Sequence, residues 1–149
     1  MYFVGIDVGT GSVRAALVSH AGEIFAQASR PLQTWTYEED SRLYEQSSAQ
    51  IWHALAECVR TLVEQSRVRP EEVRGIGFDA TCSLVAVQKD TGQPHCITPQ
   101  HLPQNSERNV ILWADHRAED EARLINAVHH KVLDYVGGIM SLEMEMPKI

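Results

Sequence analysis

Residues 2–18, YFVGIDVGTGSVRAALV, contain two apolar runs on either side of a glycine-rich turn. Apolar side chains alternate with small or polar ones in both runs, and this period of two is typical of β-strands. Gly9 and Gly11 lie in the turn, where glycine tolerates the positive φ angles that other residues avoid. The stretch therefore predicts a β-hairpin whose tip is open and lined by backbone.

The tip of this hairpin carries groups suited to binding phosphate. The backbone N–H groups of residues 9–12 can converge on phosphate oxygens. The hydroxyls of Thr10 and Ser12 add donors, and Arg14 can neutralise phosphate charge. Asp7, at the end of the first run, can hold Mg²⁺ through its water shell. The pattern predicts a phosphate-binding loop with a neighbouring metal carboxylate.

Two other interpretations of the same stretch have to be weighed. Any β-hairpin favours glycine at its turn, whether or not it binds a ligand. An aspartic-protease lobe also places Asp and Gly after an apolar run, but its chemistry needs a hydroxyl residue next to the Asp. Val8 occupies that position here. The residues therefore favour the phosphate-binding loop.

Composition sets the limits on partners and location. At 149 residues with 44% apolar side chains, the chain has room for one domain with a real core. Its net charge of −7 argues against nucleic acid or an anionic membrane as a partner. No apolar run approaches the ~20 residues of a membrane span. The three cysteines lack metal-ligand spacing, so we expect a reduced, cytoplasmic protein.

The rest of the chain alternates between strand and helix patterns. Further strands are predicted at residues 24–28, 73–79, 83–87 and 110–113. One helix is predicted from an N-cap at Ser47, in a capping box with Gln50, to just before Pro70. A second is predicted to run to about Leu133, with its inward face formed by Ala118, Ala122, Ile125 and Val128. Long loops are predicted between these elements, at residues 32–45 and 93–108. The pattern predicts one α/β domain over residues 1–149, with a mixed sheet, flanking helices and no internal boundary.

Several polar or aromatic residues fall at predicted strand ends or turns, namely Asp79, Thr81, Trp113, Asp115 and Arg117. Ligands of open α/β sheets bind in the crevice beyond the strand ends. Each residue also has a structural interpretation, because Asp79 can cap a turn, Asp115 can cap the following helix and Trp113 can belong to the core. Their shared location favours a binding site.

Taken in order, these motifs resemble the N-terminal part of the FGGY family of carbohydrate kinases, within the actin-like ATPases that share the ribonuclease H-like fold. The resemblance rests on DVGTGS at residues 7–12 with Arg14, on EQ and IW at residues 45–46 and 51–52, and on WADHR at residues 113–117. Three further segments are similar to the ribulokinase-like branch of the family: FDATCS at 78–83, YVGG at 135–138 and SLEM at 141–144.

This resemblance implies transfer of the γ-phosphoryl group of ATP to a hydroxyl of a sugar, a ketopentose such as D-ribulose. It implies that Asp7 organises Mg²⁺ and that the phosphate is bound by Gly9, Thr10, Gly11, Ser12 and Arg14. It implies a sugar pocket lined by Asp79, Thr81, Trp113, Asp115, Arg117 and Glu143. In-line transfer of this kind depends on positioning and on charge neutralisation.

Members of this family continue to a catalytic Asp and to a second lobe that holds adenosine. Asp79, Asp115 and Glu143 do not lie in the motif of that base, so the catalytic residue is unknown. We therefore expect an incomplete N-terminal lobe, a fragment that is inactive alone and self-associates through apolar side chains such as Ile111, Ile125 and Val128. An actin-like or chaperone-like ATPase module and a non-catalytic binding or regulatory fragment are the alternatives.

Overall fold

The structure, a computed structural model that describes residues 1–149, contains seven strands and two α-helices. In chain order the strands are β1 (Tyr2–Val8), β2 (Ser12–Ser19), β3 (Ile24–Pro31), β4 (Glu45–Gln46), β5 (Val73–Ala80), β6 (Leu84–Val85) and β7 (Val110–Ile111). The helices are α1 (Ser48–Ser66) and α2 (Glu119–Ala127), and 3₁₀ turns lie at Pro70–Glu72, Lys131–Val136 and Met146–Lys148. The chain divides into two compact units: unit 1 is residues 1–33 and 47–81, and unit 2 is residues 34–46 and 82–149.

Unit 1 is built on a four-stranded sheet with the order β3-β2-β1-β5. β1 pairs with β2 in antiparallel register along the predicted hairpin, and β2 also pairs with β3 in antiparallel register. β1 pairs with β5 in parallel register, which the long connection through α1 allows. The mixed sheet predicted from the sequence is therefore confirmed.

The core of unit 1 lies between this sheet and α1. Val13, Ala15 and Leu17 alternate along β2 and are at most 4% exposed, and they belong to the same cluster as Cys58 and Leu62 of α1. Burying a side chain the size of valine or leucine contributes about 1.5–3 kcal/mol. The alternate residues of the same strands lie on the opposite face, so the side chains of Asp7 and Arg14 are directed away from α1.

Both ends of α1 have identifiable causes. Ser47 is the predicted N-cap, and its hydroxyl accepts a hydrogen bond from the N–H of Gln50 at 3.2 Å. The predicted capping box is only half formed, because the side-chain oxygen of Gln50 accepts instead from the N–H of Gln33 at 3.0 Å. The helix ends at Ser66, and its C-cap Arg67 adopts the left-handed conformation with φ of 56°.

Unit 2 is organised around a small antiparallel sheet with the order β4-β7-β6. Its strands contain two residues each, so the strands predicted at residues 83–87 and 110–113 are shorter than expected. The predicted loop at residues 93–108 is not wholly exposed as its polar composition suggests, since Thr98 and Leu102 are 5% and 4% exposed. Much of unit 2 is therefore irregular chain held by side-chain hydrogen bonds.

The second helix is shorter than predicted. α2 ends at Ala127, and His129 adopts a positive φ of 51°, which interrupts the helix before Leu133. Ala118 and Ala122 are buried as predicted, but Val128 is 69% exposed. Neither α2 nor the longer α1 combines the length and the apolar character that crossing a bilayer requires.

The surface expected to drive self-association also differs from the prediction. Ile111 is only 7% exposed, so it has no apolar surface left to cover. Val128, also named in the prediction, is 69% exposed, and Leu124, Tyr135 and Ile139 on α2 and the segment after it are each more than 60% exposed. Self-association itself stays a prediction.

Candidate functional site

The turn between β1 and β2 holds a carboxylate and a guanidinium against each other. Asp7 and Arg14 are direct partners across the antiparallel pair, and direct partners share one face of the sheet. Arg14 Nη2 lies 2.8 Å from Asp7 Oδ2, and the two side chains are 59% and 47% exposed. Both charged groups are therefore ordered by each other and accessible from solvent.

Gly9 matters for a different reason from the one the sequence suggested, because it leaves space that the flexible side chain of Arg14 occupies. Neither Gly9 nor Gly11 has a positive φ, so the turn does not depend on the left-handed region. A Cβ on Gly9 would instead lie 2.8 Å from Arg14 Nη2, whereas a Cβ on Gly11 would meet nothing within 4 Å. Gly9 makes room for the guanidinium beside the turn.

The backbone donors of the turn are fewer than the four predicted. The N–H of Gly9 donates to the carbonyl of Ser12 at 3.0 Å and closes the turn, so it is not available to a ligand. The exposed N–H of Gly11 makes no hydrogen bond within the chain. The hydroxyl of Ser12 lies at the same turn, on the first residue of β2. These groups can donate to an anion next to Arg14.

Asp79 adds a third charged side chain to the row that Asp7 and Arg14 form across the sheet. It is the direct partner of Asp7 in the parallel pairing of β1 with β5, and the N–H of Thr81 continues this pairing by donating to the carbonyl of Val8 at 3.1 Å. Oδ1 of Asp79 accepts from the N–H of Ala80 at 3.0 Å. The structure thus brings Asp79, predicted at a sugar pocket, beside the carboxylate predicted to hold Mg²⁺.

An open groove of about 690 Å³ runs over this face of the sheet. Small side chains form much of its floor, among them Gly5 and Ala16, which are direct partners on β1 and β2. Asp7 and Arg14 line it together with Gln27 and Ser29 of β3. The groove gives a ligand access to Asp7 and Arg14 from solvent.

In unit 2, Asp115 is buried completely and all its acceptor positions are used. Oδ1 accepts from the backbone N–H and from Nε of Arg117, both at 2.9 Å. Oδ2 accepts from the N–H of Tyr44 and from Nη2 of Arg117, both at 2.8 Å. A carboxylate offers about four lone-pair positions, so four donors saturate it. Asp115 is 0% exposed, and its visible role is to hold Arg117.

A second buried carboxylate, Glu45, holds the same guanidinium. Oε1 of Glu45 accepts from Arg117 Nη2 at 2.9 Å. Its Oε2 accepts from the hydroxyls of Tyr37 and Thr98 at 2.7 and 2.6 Å. Arg117 is 18% exposed at its side chain, whereas both carboxylates are at 0%. Two buried carboxylates therefore fix one arginine that reaches the surface of unit 2.

The protonation equilibria of this cluster follow from burial and charge. Burial lowers the pKa of Arg117, but the hydrogen bonds and negative charges of Asp115 and Glu45 outweigh it and leave the pKa above its ordinary value. Burial is also the main cause that raises the pKa of Tyr37, with the hydrogen bond and charge of Glu45 acting in the same direction. Arg117 therefore stays charged and Tyr37 stays a hydroxyl donor near neutral pH.

Trp113 lies half-buried two residues after β7, in the turn that leads to this cluster. The backbone N–H of Trp113 donates to the hydroxyl of Ser83 at 3.2 Å. Nζ of Lys148 donates to the carbonyls of Trp113 and Leu112 at 2.8 and 3.1 Å. Burial lowers the pKa of Lys148, although the charge of Asp115 acts in the opposite direction. Lys148 therefore holds the backbone at Trp113.

The predicted residues thus form two groups. Unit 1 contains the turn of residues 9–12 with Asp7, Arg14, Asp79 and Thr81, and unit 2 contains Trp113, Asp115, Arg117 and Glu143. Glu143 is exposed and makes no hydrogen bond to the cluster, its N–H donating to the hydroxyl of Ser141 at 3.3 Å. Sequence reasoning did not place Glu45 or Lys148 in a site. The only signal for Glu45 was its position in the EQ motif at residues 45–46.

The donors at the turn of unit 1 suit a magnesium–phosphate group better than a metal held by protein alone. No group of three or more His, Cys, Asp or Glu side chains is placed to hold a metal ion. Mg²⁺ in phosphate-transfer sites needs only one or two carboxylates, because water and phosphate oxygens complete its shell. Asp7, with Asp79 as its direct partner, offers such carboxylates, and Arg14 adds a charge for the phosphate.

Comparison with known proteins resolves which family combines these features. Residues 2–144 match the N-terminal domain of the FGGY family of carbohydrate kinases. The chain belongs to this family. It is 48% identical over 148 residues to the D-ribulokinase of Saccharomyces cerevisiae, and 48% identical over 148 residues to the human FGGY carbohydrate kinase domain-containing protein. These alignments cover 99% of this FGGY chain but only 20% and 25% of the two relatives.

Solved structures confirm the fold of this FGGY domain. A xylulose kinase from Brucella ovis superimposes with a TM-score of 0.77 at 22% identity, over 99% of this chain and 28% of that one. A xylulose kinase from Rhodospirillum rubrum gives 0.65 at 23% identity, over 86% of this chain and 23% of that one. The predicted actin-like ATPase fold, with its mixed sheet and helices, is therefore correct.

Proposed function

We propose that this chain supplies the phosphate loop and part of the sugar site of an ATP-dependent kinase that phosphorylates a ketopentose such as D-ribulose. The observation that carries the proposal is the 48% identity, over 99% of the chain, to a protein named D-ribulokinase. A ribulokinase from Geobacillus thermodenitrificans is 33% identical over 99% of the chain and supports the same substrate class. The chain spans only a fifth to a quarter of the length of the first relatives, so the whole reaction is part of the proposal.

The residues of unit 1 act on the phosphate side of this reaction. Asp7, at the end of β1, would hold Mg²⁺, which when bound neutralises phosphate charge. Arg14, paired with Asp7 at 2.8 Å, provides a second positive charge at the same turn. The N–H of Gly11 and the hydroxyls of Thr10 and Ser12 are the donors assigned to the phosphate oxygens. A transferring phosphoryl group spreads its charge over three oxygens, so such fixed donors and charges favour the transition state.

The sugar side is assigned to residues that can hydrogen-bond or stack on a polyol. Trp113 offers an aromatic face, and Arg117 is held with part of its side chain exposed. Asp79, Thr81 and Glu143 are further candidates, and Asp115 supports Arg117. Stacking on the apolar face of a sugar and donating to its hydroxyls select a neutral polyol over a small anion.

The base that removes the proton of the sugar hydroxyl is proposed to lie outside residues 1–149. Glu45 and Asp115 are buried and already accept three and four hydrogen bonds from the chain. Asp7 is paired with Arg14. General-base catalysis needs a carboxylate with a free acceptor position near the reacting hydroxyl. Asp79 and Glu143 keep such positions, but neither lies in the base motif that the family resemblance implies. We therefore expect the 149-residue chain alone to show no turnover.

The three free cysteines fit the further proposal of a cytoplasmic location.

A chimera tests the proposed function. Residues 1–149 replace the segment that they match in the Saccharomyces cerevisiae D-ribulokinase, and ATP-dependent phosphorylation of D-ribulose is measured by coupled ADP release. We expect a rate within about tenfold of the parent enzyme, because 48% identity preserves the fold and the loop residues are supplied by this chain. The unmodified parent and the isolated chain are the positive and negative controls.

The competing interpretation makes the opposite forecast for the same experiment. If the chain is a non-catalytic binding or regulatory module of the actin-like fold, the chimera will fold, as judged by a cooperative thermal transition, but will not phosphorylate any ketopentose. That result would overturn the proposed function. Turnover by the isolated 149-residue chain would contradict the assignment of the base to another segment.

A further inference from the structure

The backbone of Glu45 pairs with one chain segment on each side, and this pairing determines its position. Glu45 begins β4 and pairs with Ile111 of β7, while its N–H and carbonyl exchange two hydrogen bonds with Trp35 at 3.0 and 2.9 Å. Hydroxyls of Tyr37 and Thr98 then hold one carboxylate oxygen. The other oxygen is left to face Arg117 at 2.9 Å. Glu45 is therefore a rigid, buried acceptor aimed at one guanidinium.

The guanidinium of Arg117 donates four of its five N–H groups to acceptors within the chain, which leaves one N–H. A guanidinium has five N–H groups. One on Nε and one on Nη2 donate to Asp115, a second on Nη2 donates to Glu45, and one on Nη1 donates to the carbonyl of Ile97 at 2.8 Å. The remaining N–H is on Nη1, and the side chain of Arg117 is 18% exposed. This N–H is the one donor of the guanidinium that has no acceptor within the chain.

Stability alone is a poor explanation for this arrangement. Removing two carboxylates from water is expensive, and replacing buried ion pairs by apolar residues is often neutral or stabilising. Two carboxylates on one arginine do, however, restrict the plane of the guanidinium, because each fixes a different N–H. With two negative groups against it, the arginine also has no unmatched positive charge, which suits a neutral hydroxyl better than a phosphate.

We propose that Glu45 is a positioning residue for sugar binding: with Asp115 it fixes Arg117 so that the remaining Nη1 N–H donates to a hydroxyl of a neutral sugar. Asp115 does not contact the sugar, because its oxygens are saturated within the chain. This inference rests on the proposed function, since it names how that same sugar site is oriented.

The first test is kinetic and uses the chimera. Glu45→Gln keeps the shape of the side chain but removes its charge and one acceptor. We expect the KM for D-ribulose to rise about tenfold or more, with the KM for ATP and kcat changed by less than about threefold. Glu45→Asp, which restores the charge on a shorter stem, should recover part of the loss. Thr34→Ala is the matched control: it removes the 2.9 Å hydrogen bond that Nε2 of Gln46, the neighbour of Glu45, donates to the hydroxyl of Thr34, without touching Arg117.

A double-mutant cycle separates positioning from a general structural role. Arg117→Lys should raise the KM for D-ribulose by itself. If Glu45 acts only through Arg117, adding Glu45→Gln to Arg117→Lys should cause little further increase. Additive effects, or an equal rise in the KM for ATP, would overturn the proposal.

The second test does not depend on turnover. In the 149-residue chain, the side-chain N–H signals of Arg117 are followed by NMR in the unsubstituted, Glu45→Gln and Thr34→Ala proteins. We expect slow rotation of the guanidinium in the unsubstituted and Thr34→Ala proteins and fast rotation in Glu45→Gln. Unchanged signals in Glu45→Gln would show that Glu45 does not fix Arg117. An inactive unsubstituted chimera would overturn the proposed function instead, and the NMR result would still decide the positioning role.

Discussion

Replacing Asp7 with asparagine in the chimera is expected to lower kcat for ketopentose phosphorylation by roughly a hundredfold or more, the scale of losing one preorganised charge at a transition state. Asparagine keeps the size of the side chain and one oxygen, but it loses the charge that a Mg²⁺ shell needs. The change is measured as kcat and KM for ATP at saturating Mg²⁺ and D-ribulose. A Mg²⁺ titration should show the midpoint shifted to higher concentration.

The same substitution should hardly affect stability. The ion pair of Asp7 with Arg14 is about half exposed on both sides, and pairs of this kind contribute at most about 1 kcal/mol. For a chain of this size, that corresponds to a shift in Tm of about 2–4 °C. A large loss of rate with a small loss of Tm would therefore separate catalysis from folding.

A matched control exists in the same unit. Glu57 of α1 pairs with Arg30 of β3 at 3.1 Å, with side chains 40% and 37% exposed. Glu57→Gln removes a comparable ion pair and should change Tm by a similar small amount while leaving kcat within about twofold. If Asp7→Asn retained activity within a few-fold of the unsubstituted chimera, Asp7 would not be the metal carboxylate.

Unit 1 was predictable because local pattern and tertiary packing agree there. The alternation along residues 2–18 matches the burial of Val4, Ile6, Val13, Ala15 and Leu17. The stripe of α1 and its cap at Ser47 follow from helical periodicity and side-chain chemistry alone. What local pattern could not reveal is that Gly9 makes room for Arg14, since that contact joins two strands across a turn.

Unit 2 was harder to predict because its strands are two residues long and its interior mixes apolar side chains with buried polar ones such as Glu45 and Asp115. A period of two cannot be recognised in Glu45–Gln46, and glutamate is almost never fully buried unless it is paired. The partners of Glu45, Tyr37, Thr98 and Arg117, lie 8, 53 and 72 residues away in sequence. Burial of this carboxylate is thus a consequence of long-range hydrogen bonds, which the motif at residues 45–46 marks without explaining.

Replacing Asp115 with alanine is expected to destabilise the chain by about 3–5 kcal/mol, the range for removing one partner of a buried ion pair. The loss leaves two N–H groups of the guanidinium of Arg117 and the backbone N–H groups of Tyr44 and Arg117 without their acceptor. At roughly 2–4 °C per kcal/mol, Tm should fall by roughly 6–20 °C. Net stabilities are only about 5–15 kcal/mol, so this is a large share of the total.

Thermal unfolding and hydrogen exchange of the 149-residue chain check this expectation. Exchange should accelerate at Tyr44, whose N–H donates directly to Asp115. Asp40→Ala is the matched control, because it removes a carboxylate that also binds an arginine two residues along the chain, Arg42, but at a partly exposed site where the side chains are 22% and 51% exposed. That variant should melt close to the unsubstituted chain, since solvent replaces the lost contacts. Equal Tm values for Asp115→Ala and Asp40→Ala would mean that burial of the Asp115 pair does not govern the stability of the chain.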